Sequence, residues 1–374
     1  MVADPGTGPE DAASSTTDDG SACAATPAGC GADGGSASCQ DACPKQGGVD
    51  ALCRLRFMYG VNYAWHNFGS DFGGNKAWNQ PGVSAEPKVD SELFALASHG
   101  ASVVRWWVFP DFRGDGVTFD AQDRPTGLGG TALADVARAL ELAAQHDLYL
   151  MLTLFSFDNF RPTTDMSGVR ARGIQPIVTD DTLRASLMEQ VVRPFARAVS
   201  LSPHHDRLIA WDVINEPEWA VSGASLYGGD PSFDPNPDLQ SISHARMETF
   251  IADVIKVLRD ESSALISVGA AAIKWKNAWS HADVDFYQFH IYDWVDMSWP
   301  YDRAPAQYGL SDRPWVMGEF PLKGLSRAPY ATLLDSWYGN GYGGALAWSY
   351  SDGMGGDLKD VQKFAARHPC ETKY

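Results

Sequence analysis

The sequence predicts a single (β/α)8 barrel, preceded by a disordered, Cys-containing N-terminal leader. Three observations carry the barrel. Short, nearly continuous apolar runs recur between residues 57 and 350, as strands buried on both faces do. Helical patterns fall between these runs, the alternation expected of a parallel sheet. The alternative, a doubly wound open sheet, calls for a Gly-rich phosphate turn after an early strand, and GVNYAWHNFG is not such a turn.

In chain order the expected strands are FMYGVNY (57–63), ASVVRWWVF (101–109), LYLMLTLF (148–155), LIAWDVIN (208–215), ALISVGA (264–270), DFYQFHIY (285–292), PWVMGEF (314–320) and GGALAWSY (343–350). Leu133, Val136, Leu140 and Ala143 share one helical face, as do Met247, Phe250, Ile251, Val254 and Leu258. Further helices are expected over 90–98, 182–193, 326–338 and 357–367, with Pro194 ending or kinking the helix over 182–193. The stretch SLYGGDPSFDPNPDLQ (225–240) reads as a long βα loop. Its DPNPD fragment lacks the glycine of a calcium loop.

Residues 1–50 are rich in Gly, Ala, Ser, Asp and Pro and read as a low-complexity leader or linker, leaving 51–374 as the barrel. Six cysteines, Cys23, Cys30, Cys39, Cys43, Cys53 and Cys370, bracket the apolar region. An even count crowded into a polar leader points to disulfides and an oxidising compartment, so a secreted or cell-surface location is expected. Their spacing forms no paired C-x-x-C units and no His lies among them, which argues against a metal knuckle. The formal net charge of −18 disfavours nucleic acid and anionic membranes as partners. No apolar run approaches the length of a membrane span. A neutral ligand is compatible with all of this, and a monomer is expected.

In barrels the chemistry sits where strands end. The fourth run ends in Asn215-Glu216-Pro217, and the seventh carries Glu319 between apolar neighbours, where an unpaired charge is costly. Strands four and seven are expected to face each other across the mouth, so both carboxylates can reach one site. Two such carboxylates suit glycosidic bond cleavage: one protonated to serve the leaving oxygen, one ionised to attack carbon.

WDVINEP followed further along by WVMGEF resembles glycoside hydrolase clan A, and most of all its family 5, the cellulase and mannanase group. The resemblance spans roughly residues 56–355. It implies Glu216 as acid/base and Glu319 as nucleophile. It also implies support from Arg105 in VVRWW, which bonds the nucleophile, from Asn215, which holds the sugar 2-hydroxyl, and from His290 and Tyr292 in FHIYDW. Trp348 in LAWSY matches the platform under the reacting sugar, and Trp65, His66, Asp158, Trp219 and Trp294 are further candidates for sugar contact. Glu218 has no counterpart in the motif and reads as a rim or structural carboxylate. The first-strand segment, the Trp106-Trp107 pair and FSFDNF depart from the usual family pattern, and with them the choice of sugar is open.

The expected function is retaining hydrolysis of a β-linked mannan or glucan, with neither cofactor nor metal. An exo-acting β-glycosidase, a transglycosylase and a non-catalytic sugar-binding barrel are the alternatives.

Overall fold

The computed structural model describes residues 48–52, 54–350 and 357–374. Eight parallel strands close into a barrel: β1 (Met58–Ala64), β2 (Val103–Trp107), β3 (Tyr149–Ser156), β4 (Leu208–Asn215), β5 (Leu265–Ala270), β6 (Tyr287–His290), β7 (Trp315–Glu319) and β8 (Gly344–Trp348). Each lies inside one of the expected runs or within one residue of it. Consecutive strands are neighbours, and β8 closes on β1. β4 and β7 are three places apart round the ring, so Glu216 and Glu319 converge from an arc of the mouth rather than from opposed strands.

Alternation along the strands sorts the side chains. On β2, Val104 and Trp106 join the outer core beneath the helices, while Val103 packs inside the barrel with Met58, Met151, Ala210, Val316 and Leu346. That interior layer forms an apolar foot. A hairpin, Val49–Ala51 with Arg54–Arg56, packs Val49 and Ala51 against it.

Helices cover the ring at Lys88–Ser98, Ala132–Gln145, His244–Glu261, Tyr330–Gly339 and Leu358–Arg367. Of the face expected in the second of these, Val136, Leu140 and Ala143 are buried, but Leu133 is exposed and Ala139 takes its share of the core. The helix expected over 326–338 starts only at Tyr330, after Pro329. Pro194 neither ends its helix nor stands alone in it. The chain runs as helix through Asp181–Leu187, widens to a π-helical turn at Met188–Val192, and continues as Arg193–Ser200. A wide turn is one way to accommodate a residue that lacks an N–H.

The crossovers from β5 to β6 and from β6 to β7 carry only short helical turns, Ile273–Trp275, Asp293–Asp296 and Pro305–Tyr308. No helix among the described residues is long and apolar enough to cross a membrane. Cys370 is disulfide-bonded, whereas Cys23, Cys30, Cys39, Cys43, Cys53 and almost all of the expected leader lie outside the described residues.

Candidate active site

Above the apolar foot the barrel interior turns polar, and Arg105 is its centre. The side chain is fully buried, and all five of its N–H groups are used. Nε and Nη2 donate to Asp212 Oδ2 at 2.9 and 2.6 Å. Nη2 also donates to Asn215 Oδ1 at 2.8 Å, and Nη1 to Asn62 Oδ1 at 2.8 Å and Glu319 Oε1 at 2.5 Å. Asp212 is held in turn by Thr153 Oγ1, Gln288 Nε2 and the Gly269 amide. Gly269 is there for room: a Cβ would stand 3.0 Å from Arg105 Nη2 and 2.8 Å from Gln288 Nε2.

Glu319 ends β7. Its Oε2 accepts from Tyr292 Oη at 3.0 Å. Tyr292 is pushed well above the ordinary tyrosine range by burial and then by Glu319 itself, so it stays a donor. Glu216 lies just beyond β4, with Oε1 2.7 Å from His290 Nδ1 and Oε2 accepting from Trp219 Nε1 at 2.9 Å. Its backbone is left-handed, φ 51°, ψ 48°, wedged between the end of β4 and Pro217 at the start of the turn Pro217–Ala220. This is an uncommon conformation for a side-chain-bearing residue, and such strain gathers at functional sites.

One oxygen of Glu216, one of Glu319 and a ring nitrogen of His290 all lie within 4.8 Å of one another. That is close enough to reach a single ion. However, the oxygens of both glutamates are already engaged by N–H or O–H groups, and the Arg105 charge stands beside them.

Burial raises Glu216 to about 7, with the Trp219 hydrogen bond and Arg105 pulling the other way. Burial raises Glu319 as well, against the opposing charge of Arg105 in direct contact. Burial lowers His290 to about 4, leaving it a neutral ring near neutral pH. The site thus offers one carboxyl that keeps its proton into the neutral range beside one held by a cation and a phenol.

The aromatic residues fall in two groups. Trp348, Trp107 and Tyr292 form a floor cluster with Ala64, and Trp65 and Phe68 pack on it. Trp65 lies 5.8 Å from Trp348 and 5.1 Å from Trp107, ring centre to ring centre. Trp348 is fixed beside β7 because its N–H bonds Phe320 O and its carbonyl accepts from Leu322 N. On the other side Trp294, 67% exposed, stacks on Trp219 at 5.3 Å.

Asp158 tops β3 in an ion pair with Arg161, close enough to Glu216 to bear on its charge. His66 is turned elsewhere, bonding Glu92 at 2.9 Å beside Glu86. Glu218 is structural and not a rim group: it is fully buried, accepts from Trp279 Nε1 and Ala271 N, and is raised by burial to about 8.

Sequence reasoning missed Asp212, Asn62, Thr153, Gln288 and Trp107. Asp212 and Asn62 had a signal, a polar side chain inside an apolar run, which is the same argument that singled out Glu319.

No family model matches the chain. It is 24% identical over 350 residues to a mannan endo-1,4-beta-mannosidase of Mytilus edulis, across 83% of this chain and 88% of the relative. A second mannan endo-1,4-beta-mannosidase, from Cryptopygus antarcticus, is 23% identical over 342 residues, with 82% of each chain covered. These likenesses support a glycoside hydrolase of the mannanase kind, similar to family 5 of clan A. The fold agrees. The beta-mannanase of the blue mussel Mytilus edulis superposes with TM-score 0.69 at 21% identity, covering 87% of this chain and 98% of that one. A GH5_18 structure from Bifidobacterium longum superposes at 0.57, with 15% identity and 84% and 80% coverage. In this glycoside hydrolase the departures seen in sequence, Trp106-Trp107 and FSFDNF, resolve into separate places. Trp106 packs in the outer core, Trp107 in the floor cluster, and FDNF forms the turn that carries Asp158.

Proposed function

We propose that the chain is a retaining endo-acting hydrolase of β-1,4-linked mannan. Glu319 attacks the anomeric carbon while Glu216 gives its proton to the leaving oxygen. Glu216 then takes a proton from the water that releases the sugar. The observation that carries this reading is the approach of the two carboxyl groups within 4.8 Å, room for direct attack and not for an intervening water. The two mannan-cleaving relatives, matched over most of their length, support the choice of mannan.

Arg105 and Tyr292 would hold Glu319 ionised and aimed. Asn215, whose oxygen is taken by Arg105, has its NH2 left for the sugar 2-hydroxyl. Trp348 and Trp65 would lie under the sugars on the nucleophile side, and Trp294 and Asp158 beyond Glu216. Residues 1–50 would be a leader to this catalytic unit. Its acidity fits a neutral glycan and not a nucleic acid, and the disulfide at Cys370 supports export. Nothing in the proposed reaction calls for a second copy, so we take the chain as a monomer.

The test is a panel of mannan, β-glucan, xylan and galactan, with product sizes read by chromatography and the first-formed anomer by proton NMR. The expected result is a ladder of manno-oligosaccharides released as β-anomers. Release of α-anomers first, or of mannose alone, would overturn the retaining or the endo reading respectively.

A further inference from the structure

The two oxygens of Glu216 are not equivalent. Among the described residues two side chains bond them, His290 at Oε1 and Trp219 at Oε2. Nε2 of His290 is buried without a partner. A buried N–H left unbonded is rarer than an unbonded acceptor, so the ring proton belongs on Nδ1, donated to Oε1. The acid proton of Glu216 then rests on Oε2, the oxygen that Trp219 touches.

Trp219 is itself well braced. Its ring meets Trp275 edge-on at 5.3 Å, its carbonyl accepts from Asn236 N in the long loop, and Trp294 stacks on its outer side. The sugar that receives the proton must lie over Oε2, and so beside this pair of rings.

We propose that Trp219 is a positioning residue for the proton donor, its indole N–H aiming Glu216 Oε2 at the leaving group, and that Trp294 on its far side carries the leaving-group sugar. The inference rests on Glu216 being the acid. As the proton departs, a carboxylate forms on Glu216, and an N–H already pointed at it stabilises that charge without rearrangement. The bond is therefore stronger late in proton transfer than before it.

The other charged or titratable groups bearing on Glu216 are His290 at the end of β6, Tyr292 just beyond it, Glu319 from β7, Arg105 from β2, Asp158 after β3 and Glu218 in its own turn. All of these stay in place when only the indole N–H is removed.

The test is Trp219→Phe, which keeps a ring and loses the donor. On mannan kcat should fall about tenfold, the scale of one hydrogen bond to a charged group. On an aryl mannoside with a good leaving group it should fall much less. The alkaline limb of the kcat profile should move to higher pH, because the N–H favours the carboxylate form. Trp294→Ala should raise KM for mannan and leave that limb in place.

An unmoved limb in W219F, or equal losses on both substrates, would overturn the role of Trp219. Should W219F not fold, Trp219→Gln decides. It keeps an N–H but no ring, so a wild-type limb with raised KM supports the proposal and a displaced limb overturns it. E216Q assayed alongside separates the two readings: wild-type turnover of mannan by E216Q sinks the acid assignment itself, whatever W219F does.

Discussion

Arg105 is tied more fully to Asp212 than to Glu319. Two of its nitrogens reach Asp212 Oδ2, and one reaches Glu319 Oε1. The cation that faces Glu319 is thus held from beneath by a second carboxylate, which is itself bonded by Thr153, Gln288 and Gly269.

Asp212→Ala should therefore cost stability before it costs chemistry. It strands a buried guanidinium, and breaking one partner of a buried pair costs roughly 3–5 kcal/mol. Urea unfolding of the variant should show the loss as a lower midpoint. Asp212→Asn keeps the shape and should fold, with kcat reduced more than KM.

Arg105→Lys should fold poorly or work poorly, because one ammonium cannot serve five directions at once. Where it folds, kcat on soluble mannan should drop roughly 10²-fold or more, the scale of losing one preorganised donor at a charged reacting group. KM should change little. Equal changes in both constants would place Arg105 in sugar binding instead.

Glu319→Ala should lose on the order of 10⁴-fold in turnover, as removal of a catalytic nucleophile does. Small anions such as azide should restore part of it on an activated aryl mannoside, giving the α-glycosyl azide. Mass spectrometry and NMR of the product check both the mass and the inverted anomer.

Activity should decline as pH rises through about 7, where Glu216 loses its proton. The same limb should be absent from the first chemical step of Glu216→Gln on a substrate with a good leaving group, which needs no acid. Pre-steady-state release of the aryl group across pH 5–9 measures it.

Stability should fall over much the same range. Glu216 and Glu218 are raised by burial from 4.5 to about 7 and about 8. A carboxyl raised in the folded state contributes fully below its unfolded value, and that contribution is lost as pH climbs through the folded value. The thermal midpoint should therefore drop between about pH 5 and 8, and Glu218→Ala, destabilised at every pH by stranding Trp279 Nε1 and Ala271 N, should show a shallower slope.

The barrel was legible because buried parallel strands announce themselves as apolar runs, and every such run became a strand. Glu216, Glu319, Asn215, His290 and Tyr292 were legible because each stands at or near the end of one, whereas Arg105 lies in the middle of Val103–Trp107 and was legible only through the motif VVRWW. What stayed hidden depends on depth or direction. Asp212 and Asn62 sit mid-strand, and only the closed barrel turns them onto Arg105. His66 has the same chemistry on paper as a sugar-binding histidine, but its ring faces Glu92. The crossovers around β6 gave no helical pattern because they hold only brief helical turns.

The left-handed backbone at Glu216 suits glycine or asparagine better than glutamate. Selection for heat resistance alone would favour those two residues at position 216 and return sturdier proteins that digest nothing. Engineering for endurance should therefore hold this turn constant and look for its gains elsewhere in the scaffold.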